Sequence, residues 1–408
     1  MDGAPFFSLA GGHVVHNCKN PATKTFKASF ALRKHADQGI VMSGTPAVQG
    51  HHHLWAQAAV ADLGQALGPS YSAFLRANFI KSGFTIQPAP GATRAIQKKI
   101  AHMATAMRPE DAVQLPPLVR KMVTLPLEEQ VRNLITSASR GAGFRFRATD
   151  GQAVEMGPTE VPASIAMRVW QLSQGFIKLG DDGSFAVLHD TKIEALLDLI
   201  EEIGDEPLVV AHHFQADRLR ILRALEAEGV GEVGVFDTAN AQDLREQIAR
   251  WQAGRIRVLL IHPQAGGHGI DGLQGGGRHL AWFGQTWSRE SALQLEARLH
   301  RSGQAHTVFV HHLEIQAPSI DSAIAQAIAA GTAGNLALLE ALAWIQVRNE
   351  RPDAPEADMA DAVQERLAEL RRRMQKTHPD HGGDADEFIR AKREFDELRA
   401  QARAEEQA

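Results

Sequence analysis

Over residues 192–313 the hydrophobic pattern switches between two periods. Short apolar runs bounded by polar or glycine-bearing turns predict buried strands at 207–213, 230–236, 256–262, 279–284 and 307–313. The stretches between several of them are amphipathic, as where Leu244, Ile248 and Trp251 recur at helical spacing. Alternating strands and helices predict an α/β fold, a parallel sheet with helices on both faces. Such a sheet carries its chemistry on loops at the carboxyl ends of the strands.

The rest of the chain has a less regular pattern. Residues 85–188 are more helical and are broken by prolines, which predicts a helical insertion with linkers. A segment rich in proline and aspartate, 348–361, predicts a linker before a charged helical tail. The predicted divisions of the chain are 1–84, 85–188, 189–332 and 333–408.

The tail contains two apolar stripes at helical spacing. The first consists of Val363, Leu367, Leu370 and Met374, and the second of Phe388, Ala391, Phe395 and Leu398. A polar segment, KTHPDHGGDADE, joins them. The pattern predicts a C-terminal helical hairpin.

Length and composition limit the number of domains and exclude several kinds of site. A chain of 408 residues is long enough for two or three domains. The net charge of −5 gives no overall nucleic-acid signal, so any contact with DNA must be local. Cys18 is the only cysteine, which excludes an intrachain disulfide and a cysteine-cluster metal site, and fits a cytoplasmic location. There is no apolar run long enough to predict a membrane span and no secretion signal.

A pair of arginines supplies the first candidate chemistry. Arg298 and Arg301 are three residues apart on a predicted helix, so both side chains emerge on one face, and the turn Gly303–Gln304 follows. Guanidinium groups are permanently charged forks that match phosphate oxygens. The alternative is an ordinary pair of surface salt bridges.

Five segments in a fixed order carry a family resemblance. They are HNCKNPATKTFKA (16–28), VMSGTP (41–46), LPPLVRKMVTLPLEEQ (115–130), AGGHGIDGLQ (265–274) and QLEARLHRSGQ (294–304). They resemble the tail of motif II, motif III, the segment between the lobes, motif V and motif VI of a phage-like Swi/Snf-type superfamily-two DNA helicase or translocase. The resemblance implies a RecA-like helicase lobe two at 189–332 and a remnant of lobe one at 1–84.

The resemblance also implies roles for the residues of motifs V and VI. Arg298 and Arg301 would be catalytic, reaching the γ-phosphate of ATP across the lobe interface. Gly267 and Gly269 would let the backbone approach a phosphate of ATP or DNA. Asp271 would accept a ribose hydroxyl or order the arginines.

Three further positions are candidates by the same resemblance. Gln294 would contact the nucleotide or the neighbouring lobe. Ser43 and Thr45, at the expected end of a strand in motif III, would couple the nucleotide and nucleic-acid sites; the alternative is a strand-to-turn cap. Trp287 matches a family tryptophan after motif V, with core packing as the equal alternative.

The ATP site of the family is incomplete in this sequence. There is no Walker A loop, GxxxxGK[ST], and His13 and Val14 occupy the positions of the Asp–Glu pair that binds Mg²⁺. We therefore expect ATP and Mg²⁺ to act only in a complete enzyme, no cofactor or metal for this chain alone, and no hydrolysis by it. The chain is either a gene fragment or a degenerate relative that kept lobe two, so its status as an enzyme stays open.

The tail resembles a second family. His378, Pro379 and Asp380 between two predicted helices resemble the loop of a DnaJ-type J-domain, although the first helix of that module is not evident. The resemblance implies docking of a DnaK-type chaperone at these three residues. The alternative is a helical hairpin used for packing or DNA contact.

The expected partners follow from both resemblances. They are DNA, a lobe one supplied in trans and a DnaK-type chaperone, with no membrane. Two rival functions remain: a non-enzymatic DNA-binding adaptor, and a co-chaperone whose helicase-like part is a scaffold.

Overall fold

The computed structural model forms two compact units, residues 1–113 and 114–407, called here the N-terminal and C-terminal units. The residues described are 7–9, 12–14, 18–43, 46–47, 50–82, 85–105, 114–180, 182–236, 241–264, 271–316, 319–329, 335–351, 359 and 362–370. No helix in these ranges is long and apolar enough to cross a bilayer. The divisions at residues 84, 188 and 332 stay predictions.

The described residues of the N-terminal unit form two antiparallel strand pairs and four α-helices. Its elements are β1 (Phe7–Leu9), β2 (Gly12–Val14), α1 (Lys24–Arg33), α2 (Leu54–Asp62), α3 (Tyr71–Asn78), β3 (Phe79–Ser82), β4 (Thr85–Pro88) and α4 (Ala92–Ile100). Thr23 caps α1 by accepting from the Phe26 amide at 3.2 Å. Phe26, Trp55 and Ile96 lie in one buried cluster, so α1, α2 and α4 share a core.

The C-terminal unit is built on a six-stranded sheet. Its strands and those of two hairpins are β5 (Leu118–Leu125), β6 (Phe144–Arg147), β7 (Ala153–Met156), β8 (Phe176–Lys178), β9 (Phe185–Val187), β10 (Leu208–Ala211), β11 (Val233–Phe236), β12 (Val258–Ile261), β13 (His279–Trp282) and β14 (Val308–Ile315). The order across the sheet is β11-β12-β10-β13-β14-β5, with every pair parallel. β6 pairs with β7 and β8 with β9 as antiparallel hairpins.

Helices cover both faces of this sheet. They are α5 (Glu129–Ser139), α6 (Pro162–Gln174), α7 (Thr191–Glu202), α8 (Gln215–Ala227), α9 (Ala241–Gln252), α10 (Arg289–Leu299), α11 (Ile320–Ala329) and α12 (Asn335–Glu350). Along β10, Leu208 and Val210 enter one core with α5 to α8, α11 and α12, while Val209 and Ala211 enter a second core with α9 and α10. Burial on both faces explains why β10 and β12 are continuous apolar runs. β13 is also buried along its whole length.

The predicted α/β class, with a parallel sheet and helices on both faces, is confirmed. Each of the five predicted strands overlaps a strand of the sheet. Residues 85–188 contain helices, as expected of the insertion, but they also contain the strands β4 to β9, which the sequence pattern did not predict. β5 is an edge strand with exposed positions on both faces, so it lacks the continuous apolar run of a central strand.

A buried ion pair joins several elements of the C-terminal unit. Lys192 Nζ lies 2.6 Å from Asp321 Oδ2, and both side chains are fully buried. The same ammonium donates to the Phe283 carbonyl at 2.9 Å and to Gln174 Oε1 at 3.2 Å. Asp321 also accepts from Gln174 Nε2 at 3.1 Å and from the Ile315 amide at 3.4 Å. The pair therefore links α6, α7 and α11 to the ends of β13 and β14.

Candidate functional site

Helix α10 sets the position of the first candidate arginine. Ser288 caps its start by accepting from the Ser291 amide at 3.1 Å. Leu295 and Leu299 bury its apolar face in the core shared with α9. Arg298 lies on the last turn and is partly buried.

The turn after α10 is fixed by one glutamine. Gly303 adopts φ +95, in the left-handed region that favours glycine. The buried Gln304 side chain donates to the Gly277 carbonyl at 3.0 Å and the Gln274 carbonyl at 3.2 Å, and accepts from the His306 amide at 3.0 Å. Gln304 thus ties the turn to the segment before β13. The turn was predicted from the sequence, but the hydrogen bonds of Gln304 were not.

The segment 271–277 contacts the turn that carries Arg301. Asp271 Oδ1 accepts from Arg301 Nη1 at 3.1 Å, and Gln274 Nε2 lies 3.5 Å from the same oxygen. The Gly272 amide donates to Gln274 Oε1 at 3.2 Å, and Gly272 has φ +108. Asp271 and Arg301, far apart in the predicted motifs, therefore lie in direct contact.

Residues at the end of helix α9 contact this segment through hydrogen bonds and close packing. Trp251 Nε1 donates to the Leu273 carbonyl at 2.9 Å, and Gln252 Nε2 donates to the Gly272 carbonyl at 3.1 Å. A Cβ added to Gly277 would lie 2.7 Å from the Trp251 ring, and one added to Gly276 would lie 2.6 Å from the Trp251 carbonyl oxygen. These glycines are needed because the indole packs directly on the backbone.

The site carries an excess of positive charge. Burial lowers the pKa of Arg298, the neighbouring charge of Arg301 lowers it further, and Asp271 raises it. Two guanidinium groups therefore lie close enough to Asp271 to feel its charge, and that of Arg301 is in contact with it. Such a cluster favours an additional anion, and a phosphate matches guanidinium geometry.

Gln294 lies one turn before Arg298 on α10. Its Nε2 donates to Glu290 Oε1 at 3.0 Å, so it is held along the helix axis. Glu290, Gln294 and Arg298 follow one another at intervals of four residues and share one side of α10.

A second interaction anchors α10 to the sheet edge. Arg120 on β5 donates to Glu296 Oε2 through Nη2 at 2.6 Å and through Nε at 3.2 Å. His300 Nε2 lies 2.7 Å from the Pro116 carbonyl oxygen. These contacts join residues more than 170 positions apart, so no local pattern in the sequence predicted them.

Several candidate residues lie outside the described residues: Thr45, Gly267, Gly269, His378, Pro379 and Asp380. Ser43 is described and exposed, but residues 41–43 do not form the predicted strand. The described residues of the N-terminal unit contain only two-stranded pairs, so there is no larger sheet for this segment to join.

Trp287 is partly buried against the main core. Its ring centroid lies 4.5 Å from that of Trp170 and 5.1 Å from that of His213. Of the two roles considered for Trp287, these contacts support core packing.

Two buried histidines and one half-buried histidine follow adjacent strands at the same sheet edge. His212 and His213 follow β10, and His262 follows β12. Burial lowers the pKa of His212 to about 3 and that of His262 to about 4, and the pKa of His213 falls well below its usual value. Within the described ranges, no group of three or more His, Cys, Asp or Glu is arranged to hold a metal. The sequence signal for this cluster is the histidine that directly follows each of the two apolar runs forming β10 and β12.

The start of the tail belongs to the C-terminal unit. Residues 362–370 are helical, and Val363, Leu367 and Leu370 are buried in the same core as α12. Arg366 Nη2 donates to Glu350 at the end of α12 at 2.7 Å. The first predicted apolar stripe therefore packs within the chain as far as residue 370.

A curated phage protein is similar to this chain in sequence. No protein-family model matches the chain. It is 29% identical over 310 residues to "Putative protein p41" of Acyrthosiphon pisum secondary endosymbiont phage 1. The alignment covers 70% of this chain and 62% of the phage protein, so the chain spans less than two thirds of that relative.

Solved structures resemble the chain weakly. The C-terminal part of the Fun30 ATPase domain matches with a TM-score of 0.43 and 15% identity, covering 63% of this chain and 99% of that one. The Sulfolobus solfataricus SWI2/SNF2 ATPase core in complex with dsDNA matches with a TM-score of 0.39 and 19% identity, covering 77% and 64%. The C-terminal domain of the Sulfolobus enzyme gives a TM-score of 0.37 and 14% identity, covering 62% and 97%. Scores this low do not assign the chain to a family.

Proposed function

We propose that residues 189–332 act as the second RecA-like lobe of a Swi/Snf-type ATP-dependent DNA translocase. The observation that carries this proposal is the grouping of Arg298, Arg301 and Asp271 beside the Gly303 turn. The five ordered motifs of the sequence support it. Gln294 shares the side of α10 that carries Arg298, and Gly267 and Gly269 complete motif V in this proposal.

The salt bridge between Arg301 and Asp271 is weak enough for a phosphate to replace the carboxylate. The pair is substantially exposed, with 38% and 70% of the two side chains accessible, so its contribution to stability is about 0–1 kcal/mol. A phosphate carries more charge than the carboxylate and accepts the same fork of donors. In this proposal Arg301 leaves Asp271 for a phosphate oxygen, and an arginine placed there is worth about 10³–10⁵ in the rate of phosphoryl transfer.

The donors present fit phosphate but not the metal of the family. Two guanidinium groups face Asp271, whereas the sequence has no Walker A lysine and has His13 and Val14 where carboxylates would bind Mg²⁺. ATP and Mg²⁺ therefore enter only with a complete first lobe, and this chain alone does not hydrolyse ATP. Ile40 and Met42, 79% and 65% exposed beside Ser43, support an incomplete first lobe. Ser43 and Thr45 would couple the two sites in the complete enzyme.

The test supplies a Swi/Snf-type first lobe with an intact Walker A loop, in trans or by fusion, and measures DNA-stimulated phosphate release. Arg301→Lys keeps the charge but loses the bidentate fork, so turnover should fall at least tenfold. Arg289→Lys, at the start of the same helix, is the matched control and should retain activity. Full turnover in the Arg301→Lys fusion would refute a role of Arg301 at the phosphate.

The second candidate is a non-enzymatic adaptor located, like the translocase, in the cytoplasm. The missing Walker A loop favours it. It predicts DNA binding without phosphate release even when a first lobe is supplied. Its chaperone-recruiting form depends on His378, Pro379 and Asp380, and stimulation of a DnaK-type ATPase by the full chain, lost in Asp380→Asn, would support it.

A further inference from the structure

Charge is distributed unequally between the two units. Residues 1–113 contain 11 Lys and Arg against 5 Asp and Glu, a formal charge of +6. The rest of the chain contains 32 against 43, a charge of −11. The overall value of −5 therefore conceals a basic N-terminal unit, and such asymmetry indicates a polyanionic partner.

Three of these positive charges lie on α4. Ala92 and Ile96 face the core, whereas Arg94, Lys98 and Lys99 are exposed. Arg94 and Lys98 are four residues apart, so they lie on one face about 6 Å apart along the axis. The basic face is defined here as Arg94, Lys98 and Lys99.

The basic face has no acidic partner among the residues that the structure describes. None of its three side chains forms an ion pair within the described part of the chain. The sequence has no acidic residue from 63 to 109. The Asp62 carboxylate accepts hydrogen bonds from the Gly64 and Ala66 amides at 2.8 and 2.6 Å, so it is already bonded within its own turn.

Helix stability alone does not account for this arrangement. Lysines in the last turn interact favourably with the helix dipole, but Arg94 lies in the first turn, where a positive charge is unfavourable. Arg94 and Lys98 also repel each other at a cost of a few tenths of a kcal/mol. Both effects would be reversed by an external anion.

We propose that the basic face of α4 binds the phosphate backbone of duplex DNA, independently of base sequence. The choice of DNA as the polyanion rests on the proposed function. The surface itself follows from its charge, its exposure and the lack of ion pairs to it within the described ranges. Three cations along one short helix suit successive backbone phosphates and give no means of reading base edges.

The experiment measures binding of the full chain to a fluorescent duplex of mixed sequence at several salt concentrations. Each phosphate contact contributes about 0.9 to the slope of log affinity against log salt. Arg94→Gln/Lys98→Gln/Lys99→Gln should make the slope shallower by about two to three and weaken binding at least tenfold at about 0.1 M salt. Arg132→Gln/Arg145→Gln/Arg147→Gln is the matched control, because it removes three exposed positive charges from the C-terminal unit.

Each outcome decides a different point. An unchanged slope in the α4 variant, with circular dichroism unchanged, overturns the basic face alone. An equal loss in both variants shows a response to net charge and also overturns it. A wild-type chain that binds no duplex at low salt refutes DNA as the partner in the proposed function. Arg301→Lys should leave the slope unchanged, which separates the backbone contact from the nucleotide site.

Discussion

Replacing Lys192 with methionine tests the energetics of the C-terminal unit most directly. The change leaves the fully buried carboxylate of Asp321 without its cation at 2.6 Å and removes the donor from the Phe283 carbonyl. Removing one partner of a buried ion pair costs about 3–5 kcal/mol, because the remaining charge stays desolvated. We expect Lys192→Met to lower the free energy of unfolding by that amount.

The double variant Lys192→Met/Asp321→Leu isolates the charge. It removes both ions of the buried pair together, so no charge stays desolvated and most of the lost stability should be recovered. Arg145→Met is the control, since Arg145 and Glu155 form an exposed pair at 2.6 Å and should contribute less than about 1 kcal/mol.

Urea denaturation followed by tryptophan fluorescence measures these differences. Five of the six tryptophans lie in the C-terminal unit: Trp170, Trp251, Trp282, Trp287 and Trp344. A Lys192→Met midpoint that matches that of the Arg145→Met control, with an unchanged slope, would refute the reasoning. A double variant no more stable than Lys192→Met would show that packing, and not the buried charge, causes the loss.

Two further predictions concern stability. Because the folded-state pKa values of His212 and His213 lie below 6.5, the unfolded state takes up protons first on acidification, and stability should fall below about pH 6.5 by roughly 1 kcal/mol per pH unit for each histidine. Glu314 has its pKa raised to about 7, so its protonation opposes this loss of stability between about pH 4.5 and 7. His213→Gln removes one of the histidines, so its stability, measured by denaturation at several pH values, should depend less steeply on pH than that of the wild type. An unchanged pH dependence in this variant would contradict the prediction. Gly276→Ala should cost about 1–3 kcal/mol through overlap with Trp251, whereas Gly157→Ala, with no atom within 4 Å of its added Cβ, should be nearly neutral in the same measurement.

The sequence predicted the elements whose patterns are local. Strands β10 and β12 are apolar because both of their faces are buried, and α10 shows helical spacing because one side packs in a core. The position of Arg298 at the end of that helix follows from the same local pattern.

The remaining features depend on distant pairing. Glu296 meets Arg120 across 176 residues, and Asp271 reaches Arg301 only because the segments before β13 and after α10 meet at one edge. The buried state of His213, in the loop after β10, likewise depends on Trp170, which belongs to helix α6. Hydrophobic periodicity reports the faces of single elements, so it cannot identify such partners.

The pairing of β5 with β14 has a consequence for synthesis on the ribosome. Leu118 pairs with Val308, so β5 leaves the ribosome about 190 residues before its partner strand. At about 5–20 residues per second, translation takes roughly 10–40 s to supply β14. During that interval the backbone groups of β5 lack their partner strand. Arg120 and Lys121, near the middle of β5, hinder association with strands of other nascent chains.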